Sequence, residues 1–504
     1  MRPRVRLALA VCSIVAALSL TLAARGPLSP TATAIQIDLA DVLFAHGDYR
    51  GALGVYLRAV STDDAELRNR ARAGVIRTAL RIGEFAIASS HSAALRTALP
   101  RQAEALTLSG DSYWATGLFD EAEAAYRDAL SIDPTYWRGR NGLAKSLASR
   151  GLVLQARTEA EAALAAGGDA EPELHHTLAQ INESLREFAL AADGYLRFID
   201  RLPGRDRRDR APWTRNLVGY LRSFGERKPY ELASDPNEVH YVPFKVVRDK
   251  VVVKAKLNGK KMDFAVDTGA ERTVVTVSTA RRLGIRPLVE TMSAGVGMVG
   301  LRGLQLGVAD SLEVGNLKLK NVPVLIKNPP LEGLPTKETE SLSPLAFGFS
   351  MSLDYQARML TMARRLAARE ADVTLPLRMH RLATVRGIVN DRPASFIVDT
   401  GGEVISLNTS VARSLFKPAD WRRIALKVYG ASGWDPEAYL LPGVNLGFDE
   451  ISYRNTPIVV MNLEVPSVLL GYEIGGTLGY KFLSRYRVDV DLQTSEVRLK
   501  KIEG

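Results

Sequence analysis

Two short stretches carry the residues best suited to chemistry. FAVDTGAERTVV spans residues 264–275 and FIVDTGGEVISL spans residues 396–407. Each sets an aspartate, a threonine and a glycine directly behind an apolar run of strand character. One such triplet says little, because small polar turns follow strands in many proteins. Two of them raise a sharper question. If the chain folds so that Asp267 and Asp399 touch, like charges at that distance cannot both ionise, and the pair titrates in two steps. An acid and a base then stand side by side.

Competing chemistries lack their residues. The chain contains no HExxH, no paired CxxC, no Walker loop and no GxSxG, so metal, phosphate and serine-hydrolase readings have nothing to stand on. His175 and His176 are sequence neighbours in a helical pattern and cannot share a helical face, so they are read as structural. No metal or cofactor is implied. The one cysteine, Cys12, lies in the N-terminal segment, leaving the rest of the 504 residues without a thiol. A formal charge of +10, spread along the chain, does not by itself indicate a nucleic-acid partner.

The elements that must position the two aspartates repeat in register. Asn258 and Asn390 lie nine residues before their aspartates, in hairpin-turn contexts. Ala280-Arg281-x-Leu283 and Ala412-Arg413-x-Leu415 follow at equal offsets, where a short helix is expected. Asn321-Val322-Pro323 and Asn455-Thr456-Pro457 come 54 and 56 residues after their aspartates. The chain therefore carries a duplicated β unit with a spacing of 132 residues.

Each copy resembles the retropepsin-like aspartic protease domain, the first over residues 242–370 and the second over 371–504. The likeness rests on the Asp-Thr-Gly turns, a glycine-bearing central hairpin and a late apolar-glycine segment. That segment is LAFG, ending at Gly348, in the first copy and TLGYKFL, with Gly479, in the second. The step from that glycine to the following acidic strand is six residues in the first copy and twelve in the second. The first copy's last loop and helix are accordingly expected to be cut down.

The resemblance implies that Asp267 and Asp399 share a catalytic water. It also implies that Thr268 and Thr400 bond across to the opposite lobe, while Gly269 and Gly401 let the backbone approach the carboxylates. Ala270 matches the retroviral form of the next position. Gly402 departs from it, and the second loop is expected to be looser there. Glycine-rich SAGVGMVGLRG, with Gly295 and Gly297, is expected to cover substrate, as is the hairpin of Tyr429 and Gly430. Tyr429 reads equally as a covering tyrosine and as an ordinary strand aromatic.

Upstream, residues 35–204 are helix-patterned with a period near 34. Turn glycines recur at Gly47, Gly83, Gly117 and Gly151. The clearest unit resembles the tetratricopeptide repeat through Gly110, Tyr113, Gly117, Ala122, Tyr126, Ala129 and Pro134. About five helical hairpins are expected, ending at Pro203. Their concave surface suits docking of a protein partner or bracing of the downstream lobes. Asn141 and Asn182 are the asparagines inside the later helices. Residues 205–241, with alternating Arg and Asp, read as a basic, polar, solvated linker. Residues 1–34 begin with three arginines and an apolar run from Leu7 to Ala24. They read as an export signal, with Ala32-Thr33-Ala34 as its cleavage site, or as an anchor that ties the chain to a membrane.

The sequence thus predicts an all-α tetratricopeptide solenoid followed by an all-β aspartic protease made of two retropepsin-like lobes. The function expected is that of an exported, periplasmic or secreted aspartic endopeptidase acting on peptide or protein substrates. Two other readings are lobes that pair between chains as a homodimeric protease, and a scaffold that binds peptides without cleaving them.

Overall fold

The computed structural model describes residues 29–294, 301–327, 340–416, 424–426, 428–430 and 433–502. Five antiparallel helix pairs open the chain: α1 (Pro30–Ala45) with α2 (Tyr49–Ala59), α3 (Ala65–Arg81) with α4 (Phe85–Ala98), α5 (Ala103–Ala115) with α6 (Phe119–Ile132), α7 (Trp137–Ser149) with α8 (Val153–Ala165), and α9 (Pro172–Ser184) with α10 (Phe188–Arg201). In the first four pairs the helices are joined through a left-handed glycine, Gly47, Gly83, Gly117 or Gly151. In the fifth, Arg186 holds the same conformation at φ 63°. The expected pattern of hairpins is present, and α1 begins at Pro30 with Ser29 as its cap. A cut before Ile35 would remove that first turn. Among the described residues no helix is long and apolar enough to cross a membrane. The apolar run Leu7 to Ala24 lies outside them.

About half of the segment expected as a linker, residues 205–222, is helical. Residues Gly204–Arg222 form helix α11, which starts after Pro203 and continues through Pro212. Val218, Tyr220, Leu221 and the following Phe224 are buried against Ala191, Ala192 and Tyr195 of α10 and Leu306 of the first lobe. Some of its charges are paired, Arg210 with Glu173 and, at the surface, Arg222 with Asp193, while Arg207, Arg208 and Asp209 are exposed. The apolar residues recur at helical spacing, and the arginine-aspartate run that hides them in the sequence lies on the helix's other faces.

Both lobes are built alike. In each, a hairpin turns through two left-handed residues, Asn258-Gly259 in the first and Asn390-Asp391 in the second, as a two-residue turn with right-twisted strands requires. The outgoing strands, Lys260–Val266 and Arg392–Val398, run straight into the Asp-Thr-Gly loops. Each is flanked in parallel by a late strand, Glu340–Leu342 or Gly476–Leu478, which also pairs with the strand leaving the loop. Short helices follow at Val277–Arg282 and Thr409–Leu415.

This register corrects the alignment of the late segments. Leu342 and Leu478 occupy equivalent places, each accepting the amide of its lobe's aspartate, at 2.9 and 3.0 Å. The counterpart of Gly479 is therefore Ser343, and Gly348 is the left-handed cap of the following 3-10 turn, Pro344–Phe347. Counted from Ser343, the first lobe reaches its acidic strand in nearly as many residues as the second. The last loop is not cut down.

The lobes join through six strands in the order Val373–Pro376, Glu496–Lys501, Tyr486–Asp491, Ser350–Asp354, Met359–Ala363 and His240–Val247. At the central seam Met351, Ser352 and Leu353 pair with Val490, Asp489 and Val488. One apolar core runs through both lobes and includes Phe264 and Phe396 behind the two aspartates. The repeats share a second core with the second lobe. Trp114, Phe119 and Leu143 pack there with Leu382, Leu470, Tyr472 and Ile474. At this seam Gly117 sits against lobe 2 so closely that a Cβ would fall 2.6 Å from Ser395 Oγ, and the Glu473 amide donates to Ala115 O at 2.7 Å.

Tyr472 is fully buried between Phe119 and His380. Tyr472→Ala should cost about 3–5 kcal/mol by the cavity it leaves. Because that cavity lies in the core shared by repeats and lobe, helix loss and strand loss should both shift to lower temperature in circular dichroism. A shift confined to one signal would contradict the shared core.

Candidate active site

The two Asp-Thr-Gly loops meet within one chain. The Thr268 amide donates to Thr400 Oγ1 and the Thr400 amide to Thr268 Oγ1, both at 3.1 Å. Each hydroxyl then donates across the lobe boundary, Thr268 to Val398 O at 2.5 Å and Thr400 to Val266 O at 2.7 Å. Both threonines are buried, so four hydrogen bonds lock the loops in a site with little competing water.

Above this lock each loop glycine lies against the opposite carboxylate. A Cβ at Gly269 would stand 2.5 Å from Asp399 Oδ1, and one at Gly401 would stand 2.4 Å from Asp267 Oδ1. A side chain at either position would drive the aspartates apart. Within its own loop Asp267 Oδ1 accepts from the Gly269 amide at 3.0 Å, while Asp399 Oδ1 accepts from Gly401 at 3.0 Å and Gly402 at 2.9 Å. Gly402 is not a looser point. A Cβ there would come within 2.8 Å of Asp399 Oδ2, so the missing side chain lets its amide close on the carboxylate. Ala270 occupies the matching place in the first loop, with its amide on Asp267 O at 3.4 Å.

The electrostatics follow from this enclosure. Burial, and then the neighbouring Asp267, push Asp399 up to about 7. Burial also raises Asp267, opposed by Lys250 and Lys327 and by hydrogen bonds from the Gly269 amide and the Ser341 hydroxyl. The pair therefore retains a proton well above the pH at which an exposed carboxyl loses it.

The first loop is gripped from outside the dyad by two residues that follow it. Glu271 takes a bidentate pair from Arg381 of the second lobe, at 2.7 and 3.0 Å. Arg272 reaches Glu183 of α9 at 2.9 Å, and Glu183 also accepts the Tyr195 hydroxyl at 3.1 Å. The second loop has Glu403, with Lys481 at 3.4 Å, and Val404 in these places. Glu183, Arg272 and Arg381 were not singled out in the sequence. The contrast of GAER with GGEV was the available signal, but the partner sits 89 positions away. Of the other expected site residues, Gly295 and Gly297 lie outside the described residues. Tyr429 and Gly430 do lie in a small hairpin, opposite Trp434 and Gly433.

A cavity of about 2700 Å³ opens above Asp267 and Asp399. Its walls include both lobes and the inner faces of the repeat helices. His176 lies on that wall, packed edge-on to Tyr195 and Phe198, and burial lowers it to about 4. His175 is turned away, bonded to Asp169 O at 2.8 Å. Neither joins the dyad.

Comparison with known proteins agrees with this layout. Residues 253–342 and 385–482 match the aspartyl protease family model, and residues 103–136 match a tetratricopeptide repeat model. Among curated proteins no sequence matches the chain. Many solved structures are similar to parts of it, two of them as follows. A thermophilic tetratricopeptide repeat protein of Thermus thermophilus is 22% identical over 36% of this chain and 98% of its own, with a TM-score of 0.31. The aspartic proteinase of Irpex lacteus is 11% identical over 53% of this chain and 98% of its own, with a TM-score of 0.34. The chain thus has tetratricopeptide-like repeats followed by two β lobes that match the aspartyl protease family model.

Two outcomes follow from the geometry. A carboxyl raised by burial contributes stability that is complete below its unfolded value near 3.8 and is lost as pH rises through about 7. Asp399→Asn, which cannot ionise, should therefore melt higher than the wild type at pH 8, by on the order of a few degrees, with the gap closing as pH falls toward 4. Melting curves across that range check the sign. Removing Glu183 leaves the Arg272 guanidinium, only about a quarter exposed, without its carboxylate. Glu183→Ala should cost about 1–3 kcal/mol in a denaturant titration, since partial exposure softens the penalty.

Proposed function

We propose that this chain, two aspartyl protease lobes behind a tetratricopeptide array, is an exported aspartic endopeptidase that uses a water held between Asp267 and Asp399. The observation that carries the reading is the reciprocal contact of each loop glycine with the opposite carboxylate, underpinned by crossed threonines in one chain. The ionised carboxylate takes a proton from the water as it attacks the peptide carbonyl. The protonated one hydrogen-bonds that carbonyl oxygen and stabilises the negative charge growing on it. The proton gained by the first carboxylate then passes to the departing amide nitrogen, which breaks the C–N bond and restores the shared proton. The low-dielectric site strengthens each of these interactions.

Four features favour catalysis over a peptide-binding scaffold: both aspartates, both threonines and both first glycines are in place, and the pair is poised to keep one proton. Pairing of lobes between chains is not needed, because Asp267 and Asp399 of the same chain already meet. Export is supported by the arginine-rich start and the apolar run Leu7 to Ala24.

Asp267→Asn and Asp399→Asn should each abolish cleavage of a diverse peptide mixture, with folding unchanged by circular dichroism. Near wild-type turnover in either variant would overturn the shared-water mechanism. Mixing the two variants should restore nothing at any concentration. Recovered activity would mean that lobes exchange between chains. For the wild type, kcat/KM should fall as pH rises past about 7, the value to which Asp399 is pushed in the free protein.

A further inference from the structure

The cavity over the dyad is not confined to the lobes. Its wall runs from Asp267 and Asp399 onto α5 and α7 of the repeats, where Trp114, Trp137, Arg138, Asn141 and Lys145 line it. At about 2700 Å³ it is several times the size of a small-molecule site. It remains too small for a folded domain, and so suits an extended chain passing from the dyad across the helices.

The charge on this wall is unevenly balanced. Elsewhere in the cavity Glu173 is taken up by Arg81 and Arg210, Glu171 by Arg81, and Glu183 by Arg272, while Asp209 has no ion-pair partner among the described residues. On α5, Asp111 accepts the Tyr126 hydroxyl at 2.8 Å, which orients the carboxylate and leaves it a negative charge facing α7 from that helix. On α7 the balance is reversed. Arg138, Asn141 and Lys145, spaced three and four apart, share one helical face turned to the cavity. Arg138 lies 4.6 Å over the Trp137 ring, and Lys145 lies 5.2 Å over the Trp114 ring. Among the described residues neither cation has a carboxylate partner. Between them Asn141 Oδ1 is buried without a hydrogen bond. Trp114 is itself fixed in the core shared with the second lobe, so this wall cannot swing away from the dyad as a separate unit.

We infer that the α7 face is a substrate exosite continuous with the catalytic cleft, which binds acidic side chains of the polypeptide being cleaved at positions remote from the scissile bond. This rests on the protease reading. It adds that the repeats act on the substrate itself rather than on a separate partner.

The test uses the full-length protein and a peptide that it cleaves, lengthened on either side by a run of Gly-Ser, of Glu-Gly or of Lys-Gly. An acidic extension on one side should lower KM about three- to tenfold relative to Gly-Ser, with little change in kcat, and high salt should erase the gain. In an Arg138→Gln, Lys145→Gln double variant the KM ratio of Gly-Ser to acidic peptide should fall to about one. Equal KM for all three extensions in the wild type, or a ratio that the double variant leaves intact, would overturn the exosite. Fluorescence anisotropy of labelled peptides on Asp399→Asn separates the two readings. Acidic-selective binding that the double variant loses, without cleavage by the wild type, would sustain the exosite and sink the protease. Cleavage with no acidic selectivity would do the opposite.

Discussion

Two carboxylates pressed together and withdrawn from water repel each other unless one keeps its proton, and a folded chain holds them so only if something else secures the loops. Here that task falls to Thr268 and Thr400, whose crossed hydrogen bonds tie each loop to the strand of the other lobe. The glycines above them are what let the carboxylates close, since any Cβ would occupy the space of an aspartate oxygen. The raised proton affinity of the pair is thus a consequence of packing as much as of chemistry. The same enclosure that costs stability at high pH supplies an acid and a base at one point.

The duplication provides the symmetry for this site, and the departures from symmetry show what is attached to it. The first loop continues into Glu271 and Arg272, which reach the second lobe and the repeats. The second continues into Glu403 and Val404, and Val404 stays within its own lobe through the bond from the Gly479 amide. Among the described residues an ion pair from the repeats therefore reaches the first Asp-Thr-Gly loop, through Glu183 and Arg272. The repeats also share a core with the second lobe through Trp114, Phe119 and Tyr472, so the solenoid is a wall of the cavity over the aspartates as well as a preceding domain. A solenoid held this way braces the lobes and presents its inner helices to whatever occupies the cleft.

Much of this was legible in the sequence, because it depends on local pattern. The Asp-Thr-Gly turns, the asparagine hairpins and the left-handed turn glycines each demand a particular backbone, and the residue types announce it. Repetition then supplied what a single motif could not: two copies in register imply two carboxylates, and a period near 34 implies stacked hairpins. Where local pattern misled, the cause is identifiable. The arginine-aspartate run around Pro212 resembles solvated chain because its charges outnumber the apolar residues that α11 buries. Gly348 resembled the partner of Gly479 because both follow apolar residues, whereas strand pairing, which depends on hydrogen bonds to residues some 80 positions earlier, puts Ser343 there.

By itself the sequence determined the two Asp-Thr-Gly turns, the duplicated lobe and the helical repeat, since backbone conformation and periodicity are set by neighbouring residues. Only the tertiary structure decided that the lobes pair within one chain, that Glu183 holds Arg272, and that the repeats and the dyad border one cavity. Those facts depend on which distant surfaces bury each other. Burial is settled by shape and charge matched across the whole molecule, which no stretch of sequence contains.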